Sequence, residues 1–592
     1  MKIKKNILKI VSLLSTFSIV VLSATSCTGV KISETNLPSI SPNQPTDPNP
    51  SKPEPTKPMM KDESNPSLIL AKEELNNLLK TEDSNISLYN DYSEIKSKLQ
   101  NAYNVAKSIN SDSVSSDQSI LEAKNTLQTA IDNAASEKSS FDSSKPQLVE
   151  AYKSLKNTLE NKSNVLNQIG DNVSYQGLIN QYNSLYSVAE LIITNTLQAN
   201  DLTKEKIDNA KSNIENFVST ISDKKMVSDE YLNFKKFSIK SDNFIGDFLK
   251  TQNQPETWRI VSFSSNLNNV NNKFAFRKID KLAQTDNLSD ITDVAWIYDL
   301  RSQEGKTASY DFKFNYYSGS NAVLYFPYKI YTTSQNSTNL GLQYKLNNGD
   351  LIDISSIISD AQIDDIKIAK INLAGLIFGE NTISFSVSGD KQNPMIGNMY
   401  VAQSESEESI NKIRDNIFAN EWNENNHNVI TVNLVKGYGI ANKIKTNLTK
   451  FSGKFNDNEE TKTYYLLGYL GSKEGSGNDS KTDRYYVFYL NAPTQGTYKI
   501  SGFYNSGETR GLSFWKDAYN AQENGKKAKF NNLNSGNNNW TSKLKNFNEA
   551  QKLSGNNASL DLIKGLNKII VSGKEANNAA PNLGNITFTL VQ

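Results

Sequence analysis

The chain has 592 residues, with 64 basic and 63 acidic side chains, one Cys, one His and a net charge of +1. So even a balance gives no global field with which to hold nucleic acid. A single thiol and a single imidazole exclude zinc fingers, His-rich metal sites, Cys–His dyads and disulfide frameworks, so no metal and no cofactor is expected.

The chain opens on a basic stretch, MKIKKNILK, followed by an apolar run over residues 10–22 and by Ser23, Ala24, Thr25 and Ser26 ahead of Cys27. Charged, apolar and small segments in that order make a secretory signal. The apolar run is short for a permanent crossing of a bilayer about 30 Å thick. A cysteine directly after the small residues is the added element of a bacterial lipoprotein signal; the rival reading is a buried cysteine behind an ordinary signal. Ala24 stands three residues before Cys27, where Leu is commoner. The expectation is a signal peptide over 1–26 and a lipidated Cys27 that anchors the mature chain to the extracellular face of the cell membrane. Such anchoring is stable when two or more acyl chains are attached. Without its four signal lysines the chain carries a net charge of −3.

Residues 27–66 read as a stalk. LPSISPNQPTDPNPSKPEPTKP is more than one-third proline and lacks the apolar residues of a core. Such a segment favours extended polyproline II, rising about 3.1 Å per residue. An SH3-type ligand is the alternative, and it makes little sense outside a cell.

From 67 to 224 the apolar residues recur at three- and four-residue spacing, as in YSEIKSKLQNAYNVAKSI and PQLVEAYKSLKNTLENK. That period predicts amphipathic helices. AYNVAK echoes LYSVAE and EAKNTL echoes NAKSNI, which predicts two tandem three-helix bundles. They resemble the small helical modules of the FIVAR type found in bacterial surface proteins, and a spacer role is preferred over an adhesive one.

Beyond 230 the chain turns to β structure and holds all five Trp. YDFKFNYY, AVLYFPYKIY, NTISFSVSG, RYYVFYLNA, TYKISGFY and NKIIVSG are predicted strands between Gly- and Asn-rich turns. The half repeats itself. YKIYTTSQNSTNLGLQY from Tyr328 matches YKISGFYNSGETRGLSF from Tyr498 without a gap, GENTI from Gly379 matches GLNKI from Gly565, and PMIGNMYV from Pro394 matches PNLGNITF from Pro581. Two homologous antiparallel β-sandwich domains follow, over 230–410 and 411–592.

In the second copy, a YKISGFY strand, an Arg before a strand, a Trp-bearing loop and a G-x-N-x-I strand resemble carbohydrate-binding modules of the galactose-binding-like, jelly-roll type. That resemblance implies ligand loops with aromatic faces and Asn side chains. The stretch between the first two repeat blocks is 16 residues longer in the second copy, and it holds Trp515 and Trp540. Aromatic rings stack on the C–H faces of sugars while amides bond their hydroxyls. The candidate ligand residues are therefore Trp515, Trp540, Tyr504, Arg510 and Asn582, with ordinary core packing as the competing role for either Trp.

The whole layout of lipobox, proline stalk, Asn- and Lys-rich helices, GENTISFSVSG…PMIGNMYV and GNITFTLV resembles the variable lipoprotein haemagglutinins of avian mycoplasmas. That resemblance implies a surface antigen that adheres to host cells through sialylated or other glycoconjugates, and antigenic variation. No catalytic residue comes with it, and the chain is expected not to be an enzyme. The alternative is a substrate-capturing lipoprotein or carbohydrate-active enzyme using a carboxylate pair, which no residue pair singles out. His427, in the polar NENNHNVI, reads as an exposed loop residue rather than a member of a triad.

Overall fold

The computed structural model describes residues 66–249, 259–261, 273–335, 338–442, 446–471, 484–536, 542–573 and 579–591. Cys27, the signal, nearly all of the stalk, and Trp540 lie outside the described residues. The described chain is multidomain, with helices first and antiparallel sheets after them.

The helices close their apolar stripes on one core. Along Ser93–Ser111, Ile95, Leu99, Tyr103 and Ala106 are buried at steps of three and four, as a period of 3.6 residues dictates. Ser116 starts Asp117–Ser144 by accepting from the Ser119 amide, and Thr203 starts Lys204–Ser219 by accepting from the Lys206 amide. These caps satisfy donors that the first turn leaves over. Pro66–Leu79, Ser93–Ser111 and Asp117–Ser144 recur in order as Pro146–Glu160, Gln176–Asn195 and Lys204–Ser219. Their buried residues, from Ala71 to Ile221, form one continuous cluster rather than two. That cluster takes in Tyr317 and Phe378 from the sheets, and the Gly177 amide donates to the Ser318 carbonyl at 3.1 Å.

The sheets make two sandwiches of the same topology. In the first, the smaller sheet runs in the order Phe244–Gly246, Ala308–Tyr316, Gly379–Ser386, Gln343–Leu346, Leu351–Asp353. In the second the order is Ile440–Ala441, Tyr486–Ala492, Gly565–Gly573, Arg510–Lys516, Lys527–Leu533. The larger sheets also correspond. Asn321–Lys329 lies between Lys367–Ala374 and the broken strand Met395–Ile396, Met399–Ala402, whose far sides pair with Ala295–Ile297 and Lys235–Phe237. Gly496–Asn505 lies likewise between Ser559–Leu562 and Asn582–Leu590, which pairs with Lys462–Gly468 and Asn426–Val432. Asn420–Asn423 and Lys545–Phe547 are additions in the second sandwich. His427 is exposed as expected, but in the strand Asn426–Val432 rather than in a loop.

One part of the sequence match is out of register. Tyr344 and Phe514 occupy equivalent places opposite Phe385 and Val571, so the Gly341–Gly511 end of the first block is right. Tyr328, however, faces Ile396, while the equivalent Leu583 faces Tyr504, six residues beyond Tyr498. The connection that follows the strand is shorter in the second copy, 506–509 against 330–342. Side chains alternate with period two, so an even slip leaves the apolar pattern unchanged and sequence matching does not detect it.

The sandwiches are joined face to face. Trp296, Tyr325 and Tyr400 on the outer side of the larger first sheet share a buried cluster with Val487, Tyr489, Trp515 and Ile570 on the outer side of the smaller second sheet. The helix Glu407–Phe418, capped by Ser406, adds Ile413, Ile417 and Phe418.

Candidate functional site

The larger sheet of the second sandwich is the counterpart of the one that the first sandwich buries in this joint. On Asn447–Gly453 and Lys462–Gly468, Leu448 and Leu467 face each other in the core. Thr449 with Leu466, and Phe451 with Tyr464, therefore point to the outer side. Phe503 stands on that side too, next to Tyr504, which with Ile500 faces the core.

The outward rings form a cluster. Phe455, Tyr464 and Phe503 meet edge to face in all three pairs, with centroids 5.6–5.8 Å apart, a favoured geometry for aromatic pairs. All three are half-buried, as is Phe451. Their floor is glycine: a Cβ on Gly584 would collide with the Phe503 ring, and one on Gly453 with the Phe451 ring. Any side chain at either place would lift the ring off the sheet.

Beside the rings opens a cavity of about 380 Å³ lined by Asp280, Lys281, Thr449, Phe451, Leu466, Gly468, Tyr469 and Asn582. A Cβ on Gly468 would stand 2.8 Å from Asn582 Oδ1, so the amide reaches across bare backbone. Among the described residues the Asn582 amide makes no side-chain hydrogen bond, and Tyr469 stands 51% exposed at the rim. Two aromatic walls, a free amide, a hydroxyl and a pair of charges can hold a ring that has apolar faces and a polar edge.

Of the residues expected from sequence, Asn582 lines this cavity. Trp515 does not. It lies in the strand Arg510–Lys516, 2% exposed, against Tyr519 at 4.9 Å in the joint between sandwiches. Its ring packs and meets no solvent. Tyr504 is buried in its own core, against Phe547, with its hydroxyl directed to the Asn534 carbonyl. Arg510 is half-buried, and its Nη1 donates to the Ala580 carbonyl at 3.0 Å. Phe451, Phe455, Tyr464, Phe503 and Tyr469 were missed; for Phe451, Phe455 and Tyr464 the signal is the alternation in NLTKFSGKF and KTYYLLGY, which places rings opposite core leucines.

The Asn of the repeated G-x-N-x-I is structural in both copies. Asn567 accepts from the Ile563 amide and donates to the carbonyls of Ile563 and Gly565, and Asn381 does the same with Ile377 and Gly379. Each clamps a turn whose glycine has positive φ, 119° at Gly379 and 92° at Gly565, a conformation that costs glycine little.

A second cleft, about 510 Å³, lies between the sandwiches and is lined by Lys236, Asp293, Lys412, Asp415 and Trp422 among others. Most of its charges are already used. Lys236 pairs with Asp293 at 2.8 Å and Lys412 with Glu408 at 2.6 Å. Asp415 accepts from Trp422 Nε1 and from Asn491 Nδ2, and burial pushes its carboxyl up to about 6. This is a charged seam, and its carboxylate has both oxygens engaged. Among the described residues no group of three or more His, Cys, Asp or Glu is placed to hold a metal ion.

The family model described as Mycoplasma haemagglutinin matches residues 234–357 and 354–591, and the FIVAR domain model matches 71–135 and 151–221. No curated protein matches the chain. Among solved structures, it is similar to a family 35 carbohydrate binding module from Clostridium thermocellum, at 14% identity over 26% of this chain and 92% of that one, with a TM-score of 0.17. Similar too are the CBM35 from Cellvibrio japonicus Abf62, at 12% identity over 28% and 94%, and the tandem CBM22-1–CBM22-2 domain of Paenibacillus barcinonensis Xyn10C, at 9% over 58% and 98%, each with a TM-score of 0.17.

Proposed function

Because the chain belongs to the Mycoplasma haemagglutinin family, we propose that it is a surface adhesin whose second sandwich binds host glycoconjugates on the outer face of its larger sheet. The observation that carries this reading is the ring cluster Phe455–Tyr464–Phe503 on its glycine floor, beside the cavity of Phe451, Tyr469 and Asn582. Half-buried rings gathered on the outer side of a sheet leave apolar surface in contact with water that a ligand can cover. Sugar rings are such ligands, since their C–H faces pack on aromatics while their hydroxyls bond amides. Host glycans are the partners, and the role is binding rather than catalysis. Antigenic variation would act on the same exposed surface.

Phe503→Ala is expected to weaken agglutination of erythrocytes by the full chain at least about tenfold, with Trp515→Phe as the control that leaves it unchanged. Agglutination at wild-type strength by Phe503→Ala, or by a Phe451→Ala, Phe503→Ala double variant, would sink this site.

The anchor belongs to the same proposal. The order of charged, apolar and small residues before Cys27 supports lipid attachment at its thiol. Cells given labelled palmitate should label the wild-type chain and not Cys27→Ser; labelled Cys27→Ser would overturn the anchor.

A further inference from the structure

The cavity wall formed by Asp280 and Lys281 comes from the other sandwich. Phe274–Phe276 and Ala295–Ile297 pair with each other in the first sandwich. Between them the chain crosses to the second. Ile279 is buried in the second core, and Leu282, Leu288 and Ile291 pack against it. The Asp280 amide donates to the Leu448 carbonyl at 2.8 Å, and its carbonyl accepts from the Lys450 amide at 2.9 Å. The crossover thereby adds a short parallel bridge to the edge strand Asn447–Gly453. Lys450 Nζ meets Asp286 at 2.6 Å and closes the contact.

Backbone pairing thus fixes where Asp280 and Lys281 stand. Asp280 Oδ2 accepts from Asn447 Nδ2 at 2.9 Å. Lys281, exposed and at φ 62°, makes no ion pair among the described residues. A carboxylate and an ammonium on neighbouring residues nearly cancel at a distance, so the wall offers no net charge to an acidic sugar. Close in, they supply an acceptor and a donor beside the Thr449 hydroxyl and the Asn582 amide, a set that suits adjacent hydroxyl groups.

We propose that the ligand site is a composite of both repeats, in which Asp280 and Lys281 of the first repeat select an uncharged, hydroxyl-rich pyranose over an acidic one. This rests on the reading of the outer face as a sugar-binding surface. It makes the tandem arrangement part of recognition: the first repeat does not merely carry the second but supplies its specificity.

The test uses the full chain with immobilised asialofetuin, whose glycans end in uncharged galactose, and fetuin, whose glycans end in sialic acid. The wild type should bind asialofetuin at least about tenfold more tightly than fetuin. Asp280→Asn and Lys281→Gln should each weaken asialofetuin binding about fivefold or more, with thermal midpoints within about 2 °C of wild type. Wild-type binding by both variants, alongside loss in Phe503→Ala, overturns the composite wall and leaves the sugar-binding face standing. Wild-type binding by Phe503→Ala as well removes the face itself. Tighter binding to fetuin overturns the uncharged class, and binding of neither glycoprotein by the wild type counts against both.

Discussion

Asp415 is held at the seam by two donors, Trp422 Nε1 at 2.8 Å and Asn491 Nδ2 at 2.9 Å, yet burial outweighs them and raises its carboxyl to about 6. A carboxyl whose folded pKa is raised contributes stability that is full below its unfolded value, near 3.8, and is lost as pH climbs through about 6. The amount is on the order of 3 kcal/mol, from a shift of about two units. Asp415→Asn cannot titrate, and it strands one of the two donors at every pH, at roughly 1–3 kcal/mol. Denaturant titrations should therefore show the stability of wild type relative to Asp415→Asn falling as pH rises from 4 to 7, and a gap independent of pH would refute the assignment. Nothing near Asp415 in sequence marks it; its burial comes from a strand about 75 residues away, which carries Asn491. Trp515 teaches the same lesson. In RGLSFWK, Leu512 and Phe514 fill one core and Trp515 faces another. An apolar strand covered on both faces looks like one beside a ligand loop until its second cover is known. Asn582, in the PNLGNITF block that the repeat singled out, opens the strand Asn582–Leu590, where a side chain can reach solvent.

Periodicity made single elements legible, and contacts between distant elements escaped it. The strands around Phe312, Phe326 and Phe488 declare themselves through alternating rings, and the helices through their stripes. The crossover near residues 277–292 does not, because it is a short polar stretch whose pairing partner lies far along the chain. Its strongest fixture is Arg277, 3% exposed, whose Nη1 donates to the carbonyls of Leu434, Val435 and Gly437 at 3.2, 2.7 and 2.7 Å. Thr292 Oγ1 adds a bond to the same Val435 carbonyl at 2.9 Å. Arg277→Met roughly keeps the volume and strands the Leu434 and Gly437 carbonyls, since Val435 keeps its bond from Thr292, so it should cost about 2 kcal/mol or more. The loss belongs to both sandwiches at once, since the side chain sits in one and bonds the other. Hydrogen exchange in Arg277→Met should speed up in both Ala295–Ile297 and Tyr486–Ala492; protection lost on one side only would show that the joint is not held by this residue.

At the scale of the molecule, the duplication is used asymmetrically. Equivalent larger sheets meet different fates: the first buries Trp296, Tyr325 and Tyr400 under the second sandwich, while the second leaves Phe451, Tyr464 and Phe503 half-buried. The two smaller sheets differ as well, for the first sandwich's smaller sheet is the counterpart of the covering surface. Its outer side carries Lys313, Glu380, Lys345 and Gln343 where the second sandwich has Tyr489 and Trp515. The helices attach at the first sandwich through a separate contact. There Gly177 comes so close to Tyr317–Gly319 that a Cβ would strike the Tyr317 carbonyl, and Phe217 meets Phe378 with centroids 6.2 Å apart. Gly177→Ala should strengthen its own helix by about 1 kcal/mol, since Ala is the better helix former, while forcing the helices off the sandwich. Faster exchange at Ser318 and Phe378, unchanged helix content and unchanged erythrocyte agglutination are the expected result. Reduced agglutination would instead mean that the helical region, and not the sandwich pair alone, takes part in adhesion.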